Sequence, residues 1–250
     1  MPAVAAFDQY ARHRRPDRSI AARVHAALGG ARTVVNVGAG AGSYEPEDRR
    51  VLAVEPSRTM RAQRPRRLSP AIDAPAEALP FDDDTVDAGM AMLTVHQWTD
   101  VVRGLAELRR VVRGPVVVLT FDPDALDRVW LADYVPELMA AERRRFPSIA
   151  ALRLALGGST VVEPVPVPID CPDGYAEAFY ARPERLLEPS VRRAQSAWTQ
   201  VDGAVERRFE ATLRDDLCSG AWDARYGDWR SAPAFDGALR LVVARPGRAA

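Results

Sequence analysis

Apolar positions in the first half of the chain follow two rhythms. Residues 33–37 (Thr-Val-Val-Asn-Val), 51–55 (Val-Leu-Ala-Val-Glu), 86–94 and 116–121 (Val-Val-Val-Leu-Thr-Phe) are short apolar runs, and 71–74 is a weaker one. Runs of this length, rich in β-branched residues and bounded by turn residues, predict buried strands. Between them the period changes. Ile20, Val24, Ala27 and Leu28, ahead of Gly29-Gly30, predict a helix from about Ser19 with a glycine stop. Pro56-Ser57 opens a second helix toward Arg64. Val101, Val102, Leu105, Leu108, Val111 and Val112 keep a helical period over 99–112, and Gly114-Pro115 ends it. Strand–helix alternation of this kind predicts an α/β fold: a Rossmann-like, doubly wound, mostly parallel sheet with helices on both faces. Ligands then bind at the carboxyl ends of the strands, near the switch in strand order.

The second half breaks this rhythm. Residues 125–157 carry Leu126, Val129, Trp130, Leu138 and Met139 at helical spacings. Residues 161–169 alternate, but three prolines make them an edge strand. Residues 174–229 read as helical and rich in Trp, Tyr and Arg, and 238–244 closes the chain as a strand. The expected organisation is one domain over 1–250. Its Rossmann-like core covers about 19–122 plus 160–170 and 236–245. A helical cap or lid, inserted in the C-terminal half, covers about 123–158 and 171–235.

Composition narrows the chemistry. The 250 residues hold 34 basic and 34 acidic side chains, and every basic one is arginine. Without lysine there is no Schiff-base nucleophile and no Walker A phosphate clamp. The histidines are His13, His25 and His96, the cysteines Cys171 and Cys218, and none has zinc-ligand spacing, so no metal is expected. His13 and His25 are expected on a helix surface. A net charge of zero argues against a nucleic-acid partner. No apolar stretch reaches the ~18 residues of a membrane span, and the start has no secretory signal. A cytoplasmic monomer or homodimer is expected, with no membrane partner.

The strand at 33–37 runs into Asn36-Val37-Gly38-Ala39-Gly40-Ala41-Gly42. Small residues here let the backbone turn sharply and let a ligand approach the main chain. Glu55 ends the next strand, where nucleotide-binding α/β folds place a carboxylate on ribose hydroxyls. It either does so here or caps the helix after Pro56 and Ser57.

Three ordered motifs carry a family resemblance. They are Val34 to Gly42, then Ala53-Val54-Glu55-Pro56-Ser57, then Ala76-Glu77-Ala78-Leu79-Pro80-Phe81 followed by Asp87-Ala88. Together, over residues from about 7 to 122, they resemble the class I S-adenosylmethionine-dependent methyltransferases, in their small-molecule group. The resemblance implies S-adenosylmethionine as cofactor. It sets the glycine loop (Gly38, Ala39, Gly40) against the methionine part and Glu55 on the ribose. Pro56 and Ser57 would flank the adenine, with Ala76 and Glu77 near its edge, and Leu93 joins these contacts. Asn36 is a departure, since the family usually has an acidic residue there. Tyr10 lies in a segment resembling the one that closes over the cofactor; it either does so or packs on the first helix.

Methyl transfer needs position, a dry pocket and, for a hydroxyl or amine acceptor, a base. His96, at the carboxyl end of the fourth strand, is the best base on offer; otherwise it bonds a loop carbonyl and shapes the pocket floor. Candidate acceptor-binding residues are Trp98, Asp122, Tyr134, Tyr175, Tyr180 and Arg182, with Arg185 beside the last. Each has a plainer alternative: a turn cap for Asp122, cap core for the aromatics. The expected function is methyl transfer to a small-molecule acceptor. An NAD-dependent oxidoreductase on the same sheet, or a non-catalytic cofactor-binding protein, are the alternatives.

Overall fold

The computed structural model describes residues 10–247; Tyr10 begins a helical turn, but its side chain lies outside the described part. The chain forms two compact units. The first comprises Arg18–Asp122, Phe146–Pro164 and the stretch from Arg240 onward. Its strands are β1 (Thr33–Val37), β2 (Arg50–Val54), β3 (Ala88–Met92), β4 (Val116–Phe121), β5 (Ser159–Pro164) and β8 (Leu239–Arg245). They form a six-stranded sheet in the order β2-β1-β3-β4-β8-β5. β2, β1, β3 and β4 run parallel, and β5 is antiparallel to β8. The sheet is the mostly parallel Rossmann-like one that the alternation predicts.

The strand sequences explain the burial. β1, β3 and β4 carry almost nothing but apolar side chains, and Val34, Val35, Val37, Met90, Val117 and Leu119 are fully buried. Parallel strands covered on both faces need such continuous runs. β3 also contains Gly89, where a Cβ would lie 2.7 Å from Leu108 Cδ1 and 2.8 Å from Val112 Cγ2. That vacancy lets the helix Val101–Val111 lie against the strand. Asp100 caps this helix by accepting from the Arg103 amide at 3.0 Å.

Two expectations shrink or shift. The weak strand at 71–74 reduces to a single bridge, Ile72 against Val54. Pro70 and Pro75 flank it, and proline has no amide to extend a ladder. Helix Ile149–Leu156, expected in the cap, belongs instead to the sheet unit. Its Leu152 and Leu156 are buried in the same core as Leu105, Leu108 and Val118. β5 is the edge strand that its prolines predict.

The second unit comprises the segment ending at Asp17, Pro123–Arg145 and Val165–Leu239. The run 161–169 therefore divides: β6 (Val167–Pro168) pairs with β7 (Ala234–Phe235) in this unit. Residues 174–229 contain one long helix, Gly203–Ser219, among short helices and 3₁₀ turns. Pro183 and Pro189 start two of those short pieces. The unit is built around a train of rings, Trp130 against Trp222, Trp222 against Tyr226, Tyr226 against Trp229 and Trp229 against Phe235. Arg192, only 2% exposed, ties it together by donating to Glu206, Glu210 and the Leu186 carbonyl. No helix among the described residues is long and apolar enough to cross a membrane.

Asp87 fixes the entry to β1. Its carboxylate accepts from the Arg32 and Thr33 amides at 2.9 and 2.8 Å and from the Thr33 hydroxyl at 2.9 Å. Arg113, at 2.8 Å, is the strongest influence holding its carboxyl well below the usual carboxylate range, with the Thr33 bonds next. A depressed folded-state value means stability present above the unfolded carboxylate pKa and lost as pH falls below it. Asp87→Asn is therefore expected to unfold at lower temperature than the wild type at pH 7. The gap should close as pH falls below about 4. Thermal melts across pH 2–7 check this; a gap that stays constant would rule it out.

Candidate active site

The carboxyl ends of β1, β2, β3 and β4 carry the candidate residues within one unit. β1 continues into the glycine loop, whose Gly38, Gly40 and Gly42 have φ of +68°, +51° and +95°. Each glycine has its own reason. A Cβ on Gly38 would lie 2.1 Å from Thr94 Oγ1, so the loop after β1 abuts the loop after β3. A Cβ on Gly42 would lie 2.3 Å from Leu68 Cδ1. On Gly40 the nearest atom would be Met60 Cε at 3.3 Å, so this is the most open of the three positions. The Ala39 amide donates to the Val54 carbonyl at 2.9 Å, holding the loop to the end of β2.

Glu55 is buried at 7% exposure, and its amide bonds to Ile72. One carboxylate oxygen accepts from the Gly40 amide and the other from the Ser57 amide, both at 2.8 Å. The helix that follows, Arg58–Ala62, is capped by Ser57 Oγ, not by Glu55. Glu55 thus links the glycine loop to the start of that helix. Each oxygen takes one hydrogen bond and keeps a lone pair. Pro56 is exposed beside it.

The other sequence candidates in this unit have defined places. Asn36 is 1% exposed; its Nδ2 donates to Glu45, and its Oδ1 is buried with no hydrogen-bond partner. Leu93 sits at φ +53°, with its amide on the Leu119 carbonyl at 2.8 Å. Ala76 lies in the hydrophobic core. Glu77 accepts from the Asp100 amide at 2.9 Å and so pins the start of helix Val101–Val111. His96 is half-buried in the turn Val95–Gln97, its ring 4.3 Å from that of Phe146, which contacts Phe121 edge-on at 5.5 Å.

Trp98 is half-buried. Its ring packs on the core and fills the space over Gly104, where a Cβ would lie 2.5 Å away. Asp122 follows β4 and faces Arg240 at 3.6 Å. The remaining acceptor candidates belong to the helical unit and are engaged within it. Tyr134 donates to Asp216 at 2.6 Å, and that bond adds to burial in holding its phenol above the ordinary range. Tyr180 is fully buried, stacks on Phe235 and donates to the Ala232 carbonyl at 2.5 Å. Tyr175 lies under Arg14 with its hydroxyl 3.6 Å from Cys171 Sγ. Burial pushes the Cys171 thiol up to about 11, so it is not a thiolate near neutrality. Arg182 donates to the Cys171 and Ala178 carbonyls at 2.8 Å each. Arg185 pairs with Glu188 at 2.8 Å. Tyr175 and Tyr180 are buried, and Tyr134 is half-buried.

Two histidines also differ from expectation. His25 is half-buried, and its Nε2–H donates to the Tyr44 carbonyl at 3.0 Å, bracing the end of the glycine loop. His13 is half-buried too; burial and Arg185 lower its pKa. Thr94, Glu45, Arg64 and Met60 surround the loop but show no pattern in the sequence. Only the fold places them beside it.

The sequence profile described as "Methyltransferase domain" matches residues 35–120, from β1 to β4. Over 55 residues the chain is 38% identical to the ubiquinone/menaquinone biosynthesis C-methyltransferase of Citrifermentans bemidjiense. That match covers 21% of this chain and spans 23% of that protein's length. A putative methyltransferase from an antibiotic biosynthesis pathway of Anabaena variabilis is similar over 93% of this chain and 98% of its own. Its identity is 28% and its TM-score 0.85. A methyltransferase of Thermotoga maritima, described as a possible histamine N-methyltransferase, shares the fold at 16% identity and TM-score 0.57, covering 96% and 98% of the two chains. The fold is that of a methyltransferase domain. Residues 35–120 carry a methyltransferase domain, and the chain has the fold of the class I S-adenosylmethionine-dependent methyltransferases.

Proposed function

We propose that the protein transfers a methyl group from S-adenosylmethionine to a small-molecule acceptor. The observation that carries this is the gathering of the glycine loop, Glu55 and His96 at adjacent carboxyl strand ends, with Thr94 packed against Gly38. The Anabaena protein's antibiotic-biosynthesis setting supports an acceptor of low mass. The residues fit the cofactor. Gly40 leaves the loop backbone approachable, Glu55 keeps lone pairs for ribose hydroxyls, and Asn36 Oδ1 is a buried acceptor awaiting a donor. The cofactor, when bound, supplies an already activated methyl group. Asn36, Gly38, Ala39 and Gly40 would hold its methionine end, while Pro56, Ser57, Ala76, Glu77 and Leu93 would shape the adenine side. His96 accepts the acceptor's proton as the new bond forms. Asp122 and Trp98 border the same strand ends.

Methyl-labelled S-adenosylmethionine, incubated with the protein and a fractionated cell extract, tests the acceptor class. Label should move to the low-mass fraction. Label found only in protein or nucleic acid would refute the proposal. Glu55→Ala should weaken S-adenosylhomocysteine binding by ~1–3 kcal/mol, the worth of a charge-assisted bond to the ribose. Calorimetric titration reads this, and unchanged affinity would assign Glu55 only its loop contacts.

A further inference from the structure

Beneath the glycine loop lie three polar side chains that none of the motifs accounts for as a group. Glu45 and Arg64 form an ion pair with side chains only 1% and 4% exposed. Arg64 Nη2 donates to both Glu45 oxygens, at 3.0 and 2.9 Å. Glu45 Oε1 also accepts from Asn36 Nδ2 at 2.9 Å. Arg64 reaches the loop itself, with Nη1 donating to the Gly40 carbonyl at 3.3 Å. Its Nε and Nη2 also bond to the Ser69 carbonyl at 3.1 and 2.9 Å.

Two consequences follow from this geometry. Gly40 is held at both polar groups of its own residue, the amide by Glu55 and the carbonyl by Arg64. The Asn36 amide is held in one orientation, because only its NH₂ end can donate to a carboxylate. Its Oδ1 is thereby left as the free end, buried and without a partner. A buried ion pair gains little stability against apolar side chains, so its use here is better sought in orientation.

We propose that Glu45 and Arg64 are positioning residues for the cofactor. They hold Asn36 and the Gly40 peptide in the arrangement that receives its amino-acid end. This rests on the cofactor reading given above. Asn36 and Glu45 form a donor–acceptor couple that can be reversed. Asn36→Asp alone sets two carboxylates against each other in a buried place. Adding Glu45→Gln restores one donor facing one acceptor.

The test measures calorimetric affinities of both variants for S-adenosylhomocysteine and for 5′-methylthioadenosine, which lacks the amino-acid end. Asn36→Asp should lose at least about tenfold in affinity for the first, and the double variant should return to within about threefold of wild type. Affinity for 5′-methylthioadenosine should stay level throughout, which a merely structural role would not produce. If Asn36→Asp does not fold, a double variant that folds and binds within that range supports the proposal. A double variant that is unfolded or binds no better than the single one overturns it. So does parallel loss of both ligands. Wild-type protein that binds neither ligand would defeat the cofactor reading as well, whereas normal wild-type binding with no rescue defeats this inference alone.

Discussion

Gly40→Val is expected to abolish binding of S-adenosylhomocysteine, by more than about 100-fold in affinity, while leaving the sheet folded. Three effects add. The residue sits at φ +51°, a region that costs an L-residue about 1–2 kcal/mol and a β-branched one more. Its Cβ would press on Met60 Cε at 3.3 Å, and valine adds two methyl groups beyond that point. Relief of either strain would move the peptide whose amide is bonded to Glu55 and whose carbonyl is bonded to Arg64. The main-chain surface offered to the cofactor and the carboxylate offered to its ribose would shift together. Strain confined to one loop should lower Tm by several degrees without removing cooperative unfolding. Titration of the folded variant is the measurement, and affinity within tenfold of wild type would show that the cofactor does not approach Gly40 closely.

The strands were legible because burial on both faces imposes an apolar run. β1 and β4 announce themselves through Val34-Val35 and Val116-Val117-Val118, all fully buried. The helix Val101–Val111 was legible from its period and its Asp100 cap. Ile72 shows the limit of local pattern. One bridged residue between two prolines looks much like a short strand in sequence, yet it is what pins the Glu55 backbone. Helix Ile149–Leu156 shows another limit. Its leucines would fit either unit by period, and only packing against Leu105 and Leu108 decides between them.

The glycine loop was found by spacing, but spacing gave all three glycines one reason. In the fold, Gly38 yields to Thr94 and Gly42 to Leu68, and Gly40 is the least crowded, meeting only Met60 Cε at 3.3 Å. Glu45 stands nine residues after Asn36 and Arg64 nineteen after Glu45, distances that no helical or strand period explains. Such contacts arise from loop closure and leave no periodic trace. The aromatic candidates show the same limit of sequence. Tyr134, Tyr175 and Tyr180 look alike in sequence, as amphipathic rings in a helical region. Their hydroxyls meet Asp216, Cys171 and the Ala232 carbonyl, partners within the helical unit itself.

His96→Ala is expected to lower kcat by about 10²–10⁴-fold for a hydroxyl or amine acceptor, the usual worth of a positioned base. The site of the effect can be separated from its cause. His96 follows β3, two residues beyond Thr94, and it is Thr94 that packs against Gly38. Affinity for S-adenosylhomocysteine should therefore stay within about threefold. The ring also packs on Phe146, so alanine removes packing as well as a base. His96→Gln keeps a polar side chain of similar reach but cannot titrate. If proton removal is the role, the wild-type rate rises with pH as the base loses its proton and then levels. Both variants should lose that limb. A glutamine variant with wild-type kcat and an unchanged profile would leave His96 as part of the pocket floor. Equal rates with a flat profile in all three proteins would point to a carbon or sulfur acceptor whose methylation needs no base at this position.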